Sequence, residues 1–139
     1  MSTRAQVIIK DSYGEVWFYR HSDGYPEGIK ESLSTFMEWV KSGKIRDNVS
    51  QSSGWLVIIG HQEYNTPAAP DMVNDNVGMS WKVGAYEPCA PVEHGDIEYL
   101  YTIDLEKKQV TYCDIETDYS DMENLVLHHG KQQILLNPN

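Results

Sequence analysis

Two β-branched and aromatic runs, Ala5-Gln6-Val7-Ile8-Ile9-Lys10 and Glu15-Val16-Trp17-Phe18-Tyr19-Arg20, are followed at once by Ile29, Leu33, Phe36, Met37 and Val40 at helical spacing. A side-chain period of two alternates residues across a strand, whereas one of about 3.6 gathers them on one face of a helix, so a single register cannot serve both segments. Asp11-Ser12-Tyr13-Gly14 separates the runs with residue types that favour a turn, which predicts an opening β-hairpin. Pro26 and Glu27 suit a first helical turn and Gly43 suits a C-terminal cap, so a helix is expected between them.

Further along, Trp55-Leu56-Val57-Ile58-Ile59 has the composition of a buried strand, while Ser50 as a cap and the length through Gln62 allow a second helix. The helix is the expectation taken forward. From Tyr64 to Ser80 the chain is rich in Asn, Asp and Pro and poor in large apolar residues, which predicts a long surface loop. Trp81–Tyr86, Ile97–Asp104 and Gln109–Ile115 read as three more strands, the last two joined by a turn at Leu105-Glu106-Lys107-Lys108. Tyr99, Tyr101 and Ile103 alternate with Glu98, Leu100 and Thr102, giving one aromatic, apolar face. The extension from 117 to 139 holds an acidic turn, Leu125-Val126-Leu127 and a Gln-rich tail, which either folds back as a strand or pairs with a second subunit. The expected fold class is α+β over residues 1–139 as a single domain, with an antiparallel sheet opened by the β-hairpin and packed against one or two helices.

A chain of 139 residues supports one hydrophobic core, and its four Trp, nine Tyr and two Phe supply the area to fill it. Eleven basic residues against 21 acidic give a formal charge of -10, which opposes attraction to phosphate backbones and anionic lipid. Direct nucleic-acid and membrane binding are therefore disfavoured, whereas a partner with a basic groove is not. No run of apolar residues reaches the length of a membrane span, and Met1-Ser2-Thr3-Arg4 leads into the first strand without a signal-peptide core, so a cytoplasmic location is expected. Cys89 and Cys113 are then expected to be reduced and packed.

The chemistry-bearing residues concentrate in two strings, Arg20-His21-Ser22-Asp23-Gly24-Tyr25-Pro26-Glu27-Gly28 and His94-Gly95-Asp96-Ile97-Glu98-Tyr99. The first lies where a strand hands over to a helix, and free backbone N–H groups there receive anions. Tyr19, Arg20, His21, Asp23 and Tyr25, with His94, Asp96 and Glu98, form the expected ligand site for a nucleotide-like molecule: charge for phosphate, aromatic faces for a ring. The competing reading is structural, with Asp23 capping the helix and Gly24 and Pro26 shaping a turn. His-x-Asp occurs twice, yet glycine in both strings and the lack of a tightly spaced further ligand set argue against a metal site; no metal and no cofactor is assigned. No Gly-x-Ser-x-Gly elbow, Walker loop or dinucleotide glycine motif is present, and no catalytic residue is assigned.

At Tyr19–Glu27 and His94–Tyr99 the chain resembles a family of small, largely uncharacterised proteins from phages, prophages, bacteria and archaea that share Tyr-Arg-His-x-Asp-Gly-Tyr-Pro-Glu and His-Gly-Asp-Ile-Glu-Tyr strings. The resemblance covers the hairpin, the first helix and the later strands, and it favours helix around Trp55. It implies no particular enzymatic activity. Its phage context implies an accessory protein that counters host defence by sequestering a nucleotide-like signal, and a homo-oligomer is expected separately. The alternatives are an acidic decoy that blocks a nucleic-acid-binding defence protein, and a metal-dependent phosphodiester hydrolase.

Overall fold

The computed structural model describes residues 3–64 and 84–138. Along them run β1 (Ala5–Lys10), β2 (Glu15–Arg20), α1 (Pro26–Ser42), α2 (Val49–Tyr64), β3 (Glu87–Cys89), β4 (Tyr99–Asp104), β5 (Gln109–Asp118), β6 (Val126–His129) and β7 (Gln133–Leu136). The loop expected from 64 to 80 falls outside the described residues, apart from Tyr64 at the end of α2. Of the strand expected over Trp81–Tyr86, only 84–86 are described, and they precede the strand rather than form it.

The sheet runs β3-β2-β1-β4-β5, and β6 and β7 follow one another antiparallel along β5, with the Gly130 N–H donating to Asp114 O between them at 2.8 Å. Every pairing is antiparallel except β1 with β4, in register Ala5↔Tyr99 through Lys10↔Asp104. This parallel pair refines the expected antiparallel sheet. Parallel neighbours cannot be joined by a hairpin, and the chain between them passes through β2, both helices and β3 before returning in the direction of β1. β1 is consequently a central strand buried on both faces, which is why it reads Val7-Ile8-Ile9 rather than alternating.

Both helices cover one face. α1 buries Ile29, Leu33, Phe36, Met37 and Val40, the positions its periodicity marked, against Ala5, Val7, Ile9, Phe18, Tyr101 and Ile103. Each fully buried side chain of this size contributes roughly 1.5–3 kcal/mol, so this layer holds the fold together. Gly43 ends the helix with φ 81°, as a left-handed cap requires. α2 adds Leu56 and Ile59 to the same core, confirming helix over strand for the Trp55 region.

The other face carries a smaller cluster of Ile97, Cys113 and Ile115, packed by Tyr19, Leu100 and Leu127. Both cysteines are free thiols, and burial pushes the Cys113 thiol above its usual range. Gln6 sits fully buried on this side and holds the segment after β3: its Nε2 donates to Val92 O at 2.9 Å, and its Oε1 accepts from His94 N at 2.8 Å. A buried amide with both ends satisfied fixes a backbone path. No helix among the described residues is long and apolar enough to cross a membrane.

Candidate functional site

Strand register brings the two strings together. Ala5 pairs with Arg20 on β2 and with Tyr99 on β4, so Arg4, His21 and Glu98 leave the sheet side by side at one end. The Glu98 N–H closes this end by donating to Arg4 O at 2.8 Å.

Tyr19 is the centre of the polar cluster. Phe18 faces the helices, so alternation along β2 turns Tyr19 to the opposite face, where it packs on the smaller apolar cluster. Its hydroxyl donates to Asp96 Oδ2 at 3.3 Å and lies 3.3 Å from His21 Nδ1, while its ring stacks on the His94 ring with centroids 4.8 Å apart. Arg4 Nε stands 3.3 Å from Asp96 Oδ2, close enough for an ion pair though off the axis of a hydrogen bond. Burial, helped by the Asp96 charge, pushes the Tyr19 phenol up to about 12, so it stays a neutral donor through the physiological range.

Five side chains from three stretches of chain thus converge: Arg4, Tyr19, His21, His94 and Asp96. Arg4 and Asp96 are partly open to water and His21 is exposed. The arrangement offers a stacked aromatic surface flanked by a guanidinium, two imidazoles and one carboxylate. Such a surface can hold a planar ring and give hydrogen bonds to anionic oxygens. Among the described residues, no three His, Cys, Asp or Glu side chains converge as metal ligands.

The rest of the expected site divides away from this cluster. Arg20 points to the helix side, is fully buried, and forms a two-pronged pair with Glu63, Nη1 to Oε1 at 2.9 Å and Nη2 to Oε2 at 2.5 Å. Its Nε donates to Ser22 O at 2.8 Å and its guanidinium lies 5.0 Å from the centre of the Tyr86 ring. Burial raises the Tyr86 phenol to about 12 against the opposing pull of Arg20, and Tyr86 shares a short hydrogen bond with Ser32. A ligand anion would have to displace Glu63 to reach Arg20. Arg20 is therefore a structural cation and not part of the open cluster.

Asp23 is exposed and takes a left-handed backbone, φ 55°, instead of capping α1. The N-cap is Tyr25, which makes no side-chain cap bond and stays 38% exposed. Glu98 is exposed beside β4 and contributes through its backbone, which also accepts from Ile115 N at 2.8 Å. Gly24 is needed for close approach: a Cβ there would stand 2.7 Å from Ala5 Cβ, and its carbonyl accepts from the buried Tyr101 hydroxyl at 2.6 Å. Much of the first string thus builds the turn that delivers α1 to the sheet.

Arg4 and Gln6 were not singled out from sequence. Gln6 had a signal, a lone amide within an apolar strand; Arg4 had none, because its role follows from register alone. No protein-family pattern, curated protein or solved structure matches this chain.

Proposed function

We propose that this protein acts by binding, taking a nucleotide-like ligand on the cluster of Arg4, Tyr19, His21, His94 and Asp96. The ring of the ligand lies against the Tyr19–His94 stack, and its phosphate faces Arg4 and the imidazoles. The supporting observation is that Tyr19 contacts residues of both strings, His21 on one side and His94 and Asp96 on the other. Rings and cations disposed around one accessible surface suit recognition of a flat, anionic molecule. With the phage-type resemblance, sequestration of such a signal in the cytoplasm of an infected host gives the protein an anti-defence role.

The acidic turn gives less support to a decoy. Asp118 Oδ1 accepts from Ser120 N at 2.9 Å and Asp121 Oδ1 from Glu123 N at 3.1 Å, so these carboxylates shape their own loop.

The test is to incubate the protein with mono-, di- and cyclic nucleotides, remove unbound ligand, release the remainder by heat and analyse the supernatant. Intact ligand is expected, with uptake reduced at least about tenfold in His94→Ala and His21→Ala, a loss of about 1.4 kcal/mol or more. Uptake unchanged in both variants, or no uptake at all, would sink the proposal. A chemically altered product would assign the cluster to catalysis, and salt-sensitive binding to a basic protein without nucleotide uptake would assign the chain to mimicry.

A further inference from the structure

Among the described residues, the two helices, which cover the same face of the sheet, present different outer faces. α1 turns Glu27, Lys30, Glu31, Glu38 and Lys41 outward, as a water-facing helix does. α2 has no Asp, Glu, Lys or Arg from Val49 to Gln62, although the chain carries 32 such residues, 11 basic and 21 acidic. Its outer stripe is Gln51, Gly54, Trp55, Ile58 and Gln62, a helical spacing that aligns them along one line. Trp55 is 37% exposed and Ile58 41%. Among the described residues, nothing beyond its two chain neighbours and the backbone of its own helix lies within 4 Å of where a Gly54 Cβ would stand. A glycine at an exposed helix position costs roughly 1 kcal/mol against alanine, and nothing else described in the chain requires it.

We propose that this stripe of α2 pairs with the same stripe of a second copy of the chain. A two-fold contact lays a surface against itself, so any formal charge on it meets its like. In a chain of charge -10 this face is free of that penalty, and its glutamines are self-complementary, each amide carrying both donor and acceptor. Gly54 lets the two helices approach closely while Ile58 and Trp55 supply the apolar contact. A helix of 16 residues is ~24 Å long and covers less than the roughly 800 Å² per partner of a standard interface, which makes the dimer a weak, concentration-dependent one. Copies of like net charge repel elsewhere, so added salt strengthens the pairing.

Sedimentation velocity on the full chain, from micromolar to sub-millimolar concentration, tests this. The expected result is a concentration-dependent dimer that tightens with salt. Ile58→Glu and Ile58→Lys, substitutions at an exposed position, each weaken it at least about tenfold while circular dichroism shows the fold retained, and mixing the two restores association. A chain that stays monomeric throughout, an Ile58→Glu variant that dimerises like the parent, or a mixture of the two variants that remains monomeric would each overturn the proposal. Nucleotide uptake is read separately, on the opposite side of the sheet.

Discussion

Tyr19 and Arg20 are neighbours in sequence and lie on opposite faces of the sheet, and this one alternation separates the open cluster from the buried ion pair. The pair is asymmetric: Arg20 is wholly buried, whereas the Glu63 side chain keeps 27% of its exposure. Removing Glu63 takes a carboxylate partner from a fully buried guanidinium, while removing Arg20 leaves a carboxylate that can turn outward. Glu63→Ala is therefore expected to cost about 3 kcal/mol in urea unfolding, and more than Arg20→Met, whose longer apolar chain still packs against Tyr86. The double variant Arg20→Met/Glu63→Leu should lose clearly less than the sum of the single losses, since it removes both charges together. Strictly additive losses would show that the two groups are not coupled, contrary to their geometry.

At the scale of elements, α2 carries its own internal comparison in Gly60 and Gly54. A Cβ at Gly60 would stand 2.8 Å from the Tyr86 ring, 2.9 Å from Tyr86 N and 3.1 Å from Ala85 N, and backbone nitrogens cannot swing aside as a side chain does. Gly60→Ala is expected to destabilise by about 1–3 kcal/mol. Gly54→Ala has open space and should instead stabilise the monomer, measured at low concentration, by about 0.5–1 kcal/mol. Equal effects at the two sites would mean that α2 does not rest on Tyr86 as described. The hairpin and α1 were legible in sequence because their apolar periods differ and a turn stands between them. Two features were not. The parallel pairing of β1 with β4 joins residues distant in the chain, and its only local trace is the unbroken Val7-Ile8-Ile9. β3 is a short edge strand in which Pro88 faces Phe18 without an N–H to give, so it lacks the usual β-branched signature, and the aromatic residues before it drew the expectation too early. The candidate site was legible in part: the sequence named Tyr19, His21, His94 and Asp96, but alternation and register decided that Arg4 belongs with them and Arg20 does not.

At the scale of the whole molecule, the sheet separates two cores of unequal size, with nineteen buried residues on the helix side against three on the other among the described residues. Opening free energy follows the buried apolar contacts that are lost, so the two faces should not open together. The segment from Ala90 to Glu98, which carries His94 and Asp96, lies over the smaller core and is held by Gln6, by the Glu98–Arg4 backbone bond and by the 2.6 Å contact of Glu93 with His129. Native-state hydrogen exchange should therefore show His94 and Glu98 amides exchanging through a local opening, well below the free energy that protects Val7, Ile9, Tyr101 and Ile103 in the central pair. Gln6→Ala should accelerate exchange in this segment by removing both of its amide bonds, with a smaller effect on β1 and β4 amides. A nucleotide that occupies the Tyr19–His94 surface should slow the same segment selectively, because a ligand raises the free energy of only those openings that destroy its site. Uniform protection over both faces, unchanged by Gln6→Ala, would mean that the molecule opens as one unit. The cluster would then be as rigid as the core, and a ligand would meet a preformed surface instead of ordering one.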